Sequence, residues 1–181
     1  MKFQKAVKIL TFFLSVIATN SYANNHYSDQ ISCKNWKSSV KQGDFGRFLN
    51  DPLFKAQFKK VEQSRVDTNF EYITYKPVQP VKIFGQTVKE ITYYIENQHP
   101  RVSTLLNGKL ISTLNIAKND LKIDDWQPQR FEVDEENGQI GLGMTYHAVS
   151  FNENKQPGYD ASFTYYDDTL VFECSPSQDG G

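Results

Sequence analysis

Residues 131–174 read FEVDEENGQIGLGMTYHAVSFNENKQPGYDASFTYYDDTLVFEC, and this stretch decides the fold. Ile140, Leu142, Met144, Tyr146 and Ala148 fall at every second position, the period that sets side chains on one face of a β-strand. The acidic turn Asp134-Glu135-Glu136-Asn137-Gly138 separates that strand from an earlier one marked by Phe131 and Val133. A polar loop from Asn152 to Gly158 leads to a third strand, marked by Tyr159, Ala161, Phe163 and Tyr165. Asp167-Asp168 then turns the chain into a last strand bearing Leu170, Phe172 and Cys174. Strands joined by short polar turns form an antiparallel meander, and its apolar face needs a cover.

The middle of the chain has the same period. Phe70 to Lys76 and Val81 to Phe84 are β-rich and divided by Pro77 and Pro80, which cannot donate to a ladder. Gly85 precedes a run from Thr87 to Glu96 in which Ile91, Tyr93 and Ile95 share a face, and Arg101 to Leu106 reads as a further strand. Asn107-Gly108 is a hairpin signal. A two-residue hairpin there would set Leu105 opposite Leu110 and Thr104 opposite Ile111, leaving neither face consistently apolar. A helix after Asn107 instead groups Leu110, Leu114, Ala117 and Leu121, with Ile111 alongside, so a helix is expected.

Two helices are expected before the strands. Ile31, Cys33, Trp36 and Val40 recur at roughly helical spacing up to Gly43. Asp51-Pro52 suits the start of a second, with Phe54, Phe58 and Val61 forming its apolar stripe. The expected class is α+β: N-terminal helices packed on a mainly antiparallel sheet with a C-terminal β-meander, closed by one disulfide.

That bond is expected between Cys33 and Cys174, the only two cysteines, because the start of the chain has the layout of a secretory signal. Lys2, Lys5 and Lys8 precede the apolar run from Ile9 to Ala18, and Ser21-Tyr22-Ala23 supplies small residues for cleavage after Ala23. Residues 1–23 are thus read as a signal peptide and 24–181 as a single domain with a mobile tail over 175–181. The expected destination is the periplasm or the exterior. The apolar run is too short to span a bilayer, and no later stretch could.

Without the leader, 17 basic residues face 21 acidic ones, which argues against nucleic acid as a partner. The tightest basic cluster, Lys55, Lys59 and Lys60, falls in the expected second helix and reads as a solvated face. No Gly-x-Ser-x-Gly, His-Glu-x-x-His or phosphate loop occurs, and the carboxylate pairs sit in expected turns with no EF-hand spacing. No metal or cofactor is expected. His26 and His99 read as solvated. His147 shares a strand face with Gly141 and Gly143, a bare strip that either receives a packed neighbour or opens a groove flanked by Thr145, His147 and Phe151.

The surplus of tyrosine adds one more signal. In Tyr93-Tyr94 and Tyr165-Tyr166, one ring of each pair must point away from the core, and an exposed tyrosine suits a binding surface. The candidate surface is therefore Gly141, Gly143, Thr145, His147, Phe151, Tyr94 and Tyr166. The expected function is an exported binding domain for a protein or an envelope component. Alternatives are an inhibitor or immunity factor for a secreted hydrolase, and a small envelope hydrolase with a non-local site.

Overall fold

A computed structural model describes residues 27–34, 49–67, 70–96, 99–134, 140–151 and 157–176. The expected signal peptide, His26, Trp36, Val40, Gly43 and residues 177–181 lie outside the described residues, as do the acidic turn at 135–138 and most of the polar loop. Nine strands form one antiparallel sheet: β1 (Phe58–Arg65), β2 (Phe70–Pro77), β3 (Lys82–Ile83), β4 (Gln86–Glu96), β5 (His99–Asn107), β6 (Gln127–Asp134), β7 (Ile140–Phe151), β8 (Pro157–Tyr166) and β9 (Thr169–Pro176). The spatial order is β1-β2-β4-β5-β9-β8-β7-β6, with β3 paired to β4 beside this path. The sheet is thus two meanders joined where β5 pairs with β9.

Helix α2 (Leu110–Leu121) carries the chain from β5 in the centre to β6 at the far edge. Its 12 residues span about 18 Å, and the four strand spacings between β5 and β6 amount to about 19 Å. The helix is therefore long enough to cross the second meander. Leu114, Ala117 and Leu121 are buried as the spacing predicts, and Thr113 joins them by donating its hydroxyl to the Lys109 carbonyl at 2.7 Å. Ile111 is the exception, 60% exposed on the solvent side. Lys122 ends the helix in the left-handed conformation.

Helical residues 27–31 stop before Cys33, which takes a φ of 60°, and the rest of the first expected helix, up to Gly43, lies outside the described residues. Helix α1 (Pro52–Gln57) begins as expected, with the Asp51 carboxylate accepting from the Leu53 amide at 2.8 Å. It lasts only six residues. Phe58 is already the first residue of β1, where it stacks on Phe54 at 4.7 Å, and Val61 is 46% exposed. Lys59 and Lys60 thus belong to an edge strand, where charge discourages pairing with another chain. The expected cover of N-terminal helices is replaced among the described residues by short helical pieces and by α2.

The core lies on one face of the sheet. Phe84, Phe163 and Phe172 meet at centroid distances of 4.8–5.6 Å beside Trp126, whose indole N–H donates to the Ile123 carbonyl at 2.9 Å. Tyr27, Phe54, Phe58 and Tyr75 form a second aromatic group nearer β1. Cys33 and Cys174 stand at disulfide distance, their Cα atoms 6.5 Å apart and both residues buried. The pair fastens the N-terminal segment to a central strand.

The C-terminal meander has the expected strands, and Asp167 and Asp168 both take positive φ in the two-residue turn between β8 and β9. Along β7, however, burial fades. Ala148 is 3% exposed, Tyr146 and Met144 are half-buried, and Leu142 is 74% exposed. Alternation alone does not produce burial where, among the described residues, a strand runs past its cover.

Candidate functional site

A depression of about 590 Å³ lies on the core face at the β1 end of the sheet. Strand period builds its floor. Glu71, Ile73 and Tyr75 follow one another at i and i+2 on β2, and Ile73 pairs with Tyr93 while Glu71 pairs with Ile95 on β4. Leu49 and Asn50, in the segment leading into α1, and Lys55, within α1, close the pocket. Phe54 is the pin: it packs edge-on against Tyr75 at 5.1 Å and holds α1 beside the sheet.

A bulge supplies the remaining wall. Lys60 pairs with Tyr75, but the next pairing is Glu62 with Thr74, so Val61 is an extra residue on β1. The insertion switches the strand's parity. Lys60, Gln63 and Arg65 consequently share the face of Tyr75, Ile73 and Glu71, whereas Glu62 is directed to the other face and accepts from the Tyr72 hydroxyl at 2.6 Å.

These polar groups form a chain along the rim. The Lys60 ammonium donates to Gln63 Oε1 at 3.0 Å, Gln63 Nε2 donates to Glu71 Oε1 at 2.8 Å, and Arg65 donates to Glu71 Oε2 at 3.0 Å. The Arg65 and Gln63 bonds hold the Glu71 carboxyl below the usual carboxylate range. Glu71 is therefore a committed anion with both oxygens engaged, a poor proton donor. Deeper in, burial and then the Glu71 charge push the Tyr93 hydroxyl well above its ordinary value, so it stays neutral. Lys55 donates to Asn50 Oδ1 at 3.2 Å. No group of three metal-binding side chains occurs among the described residues.

The sequence-derived surface lies on the opposite face. Gly143 pairs with Phe131, and the Phe131 ring sits over Gly143 where a Cβ would be. Gly141 pairs with Val133. Thr145 and Thr164 share a hydroxyl hydrogen bond at 3.1 Å, and the Tyr166 ring lies 6.3 Å from that of Phe131. His147 is exposed between Gln127 and Ser162. Phe151 ends β7, its side chain outside the described residues.

Pairing sets Glu173, Ser162 and His147 side by side across β9, β8 and β7. The serine stands between carboxylate and imidazole, whereas activation of a nucleophile requires the imidazole in the middle.

Tyr94 belongs to a separate cluster. Its ring lies 6.1 Å from Phe70 and 6.2 Å from Tyr72, with the Arg101 guanidinium 4.8 Å above it. From Tyr94 to Tyr166 is three strands across and six residues along, roughly 14 Å by 20 Å. The two tyrosines share a face without forming one site. As expected of the adjacent pairs, Tyr93 is buried while Tyr94 is on the outer side.

Sequence reading missed the pocket because Lys59 to Val61 resembles a helix continuing from Phe54. The alternation Glu71, Ile73, Tyr75 was a usable signal: a charged residue on an otherwise apolar face marks where that face meets solvent. Comparison with protein-family models, with curated proteins and with solved structures gives no match.

Proposed function

We propose that the chain is an exported binding domain of the bacterial envelope and that the pocket between β1, β2, β4, α1 and the segment before it takes a small ligand. One observation carries this reading: a cavity of about 590 Å³ joins an aliphatic floor to a charged rim. That size falls within the ~300–1,000 Å³ of small-molecule sites, which pair an apolar lining with a few placed polar groups. Export is supported by the layout of residues 1–23 and by the cysteine pair, since disulfides persist in oxidising compartments. No helix among the described residues is long and apolar enough to cross a membrane. Binding is favoured over turnover because no histidine or cysteine lines the pocket among the described residues and its carboxylate is already engaged.

The test is native mass spectrometry of the protein recovered from the periplasm of cells expressing it with its leader. A non-covalent adduct is expected on the wild type and should be absent from Ile95→Trp, which fills the floor. An adduct retained by folded Ile95→Trp would place the ligand elsewhere.

A second reading, a macromolecular partner on the outer face, is favoured by Arg101 stacked over Tyr94 beside Phe70 and Tyr72. Tyrosine and arginine dominate interface hot spots. An inhibitor or immunity factor would use such a surface. Tyr94→Ala with Arg101→Ala should then abolish capture of the partner from envelope extract while leaving the Ile95-dependent adduct in place.

A further inference from the structure

We infer that the pocket's ligand is a single-chain amphiphile with an anionic head, its aliphatic tail on Ile73 and Ile95 and its head between Lys55 and Lys60. The inference rests on the pocket being the binding site.

The tail follows from which part of the floor is accessible. Tyr75 and Tyr93 are 7% and 3% exposed, so their rings are largely covered by the protein itself and offer little stacking surface. Ile73 and Ile95 pack against the core yet stay half-buried, and they flank Tyr93 and Glu71 on adjacent strands. What the floor presents is branched aliphatic surface, which selects a hydrocarbon over an aromatic or sugar ring.

The head follows from the charge balance of the rim. Glu71 is neutralised by Arg65, which takes one of its oxygens while Gln63 takes the other. Among the described residues, the hydrogen-bond partners of Lys55 and Lys60 are the amide oxygens of Asn50 and Gln63, and an amide carries no charge to offset them. Two positive charges are thus left over at the mouth of the pocket in a chain whose formal net charge is −1. An anion at that point exchanges two neutral acceptors for a charge-assisted bond, the stronger kind. A cationic head there would meet two ammonium groups.

The experiment is calorimetric titration of the folded wild-type protein with hexanoate, octanoate, decanoate, decyl phosphate and decyltrimethylammonium, all below micelle-forming concentrations. Each added methylene should tighten carboxylate binding about fourfold until the floor is filled, the factor that ~0.8 kcal/mol per buried methylene gives. Decanoate should bind at least about tenfold more tightly than decyltrimethylammonium, and raised salt should narrow that gap. Lys55→Glu/Lys60→Glu changes two exposed side chains and should reverse the preference without moving the melting temperature. Ile95→Trp should abolish binding of every probe.

Equal binding of the anionic and cationic probes, unmoved by the lysine reversals but lost in Ile95→Trp, would overturn the anionic head and leave the pocket reading standing. Binding indifferent to Ile95→Trp in a variant of normal melting temperature would overturn both. Decanoate and decyl phosphate share the proposed chemistry, and their affinity ratio tells a carboxylate head from a phosphate head.

Discussion

Breaking the link between Cys33 and Cys174 tests how the fold is held together. The bond would close a loop of sequence separation 141. On the chain-entropy model a loop of that size stabilises the native state by about 5 kcal/mol at 25 °C. Domains of this kind have total stabilities of about 5–15 kcal/mol, so the bond would account for a third or more. It also holds in place the segment carrying Tyr27 and Ile31, both essentially solvent-free, against a central strand. Cys33→Ala/Cys174→Ala should lower the melting temperature by roughly 10–20 °C, taking ~2–4 °C per kcal/mol for this size of domain. Thermal unfolding followed by circular dichroism provides the assay, with wild type reduced under denaturing conditions and refolded in reductant as the matched control. Both should melt alike. A double variant melting within about 2 °C of oxidised wild type, well under the shift expected from any such cross-link, would refute the reasoning.

The remaining predictions concern single contacts. Gly143→Val should destabilise by about 1–2 kcal/mol, at the lower end of the overpacking range because Phe131 lies on an edge strand and can swing aside; adding Phe131→Ala should remove most of that cost, and equal effects in both backgrounds in urea unfolding would exclude the clash. Asp51→Ala should cost about 0.5–2 kcal/mol through loss of the α1 cap, and an unchanged urea midpoint would contradict the role given to that bond. Burial pushes the Tyr27 hydroxyl up to about 12 and raises Tyr93 as well. An unfolded tyrosine ionises near pH ~10, so the unfolded chain loses these protons first. The resulting stability is complete below about pH 10 and falls as pH rises toward the folded values. Urea midpoints at about pH 9 and about pH 11 should show the fall, Tyr27→Phe/Tyr93→Phe should flatten it, and folded protein titrating all its tyrosines together near ~10 by ultraviolet absorbance would disprove it.

Much of the architecture was legible because it rests on period. Leu110, Leu114, Ala117 and Leu121 distinguish a helix from a hairpin at Asn107-Gly108, since only one conformation gathers them on one side. In the C-terminal third, Ala161, Phe163, Phe172 and Cys174 are buried as their alternation requires. The failures lie where burial or register depends on distant parts of the chain. Leu142 alternates correctly, yet it is 74% exposed because among the described residues nothing packs over that end of β7. Phe58 sits four residues after Phe54 in a helix-like stripe, but its ring also satisfies the start of a strand, and pairing with β2 prevails over local spacing. The bulge at Val61 leaves no local mark, and without it Gln63 and Arg65 would face away from Glu71. The glycine strip was legible as a choice between packing and groove, and the Phe131 ring over Gly143 is the packing arrangement; the face of Ile73 and Ile95 was visible as a strand face but not as a pocket wall.

The most direct measurement of the central claim is the isoleucine-methyl NMR spectrum of the folded protein titrated with decanoate. Ile73 and Ile95 line the pocket, whereas Ile111 and Ile116 are 60% and 38% exposed on α2, away from it. Site-specific binding should move the Ile73 and Ile95 methyl signals in a saturable manner and leave Ile111 and Ile116 in place. Saturation without movement of Ile73 and Ile95, or shifts confined to the exposed helix isoleucines, would contradict the assignment of this pocket as the binding site.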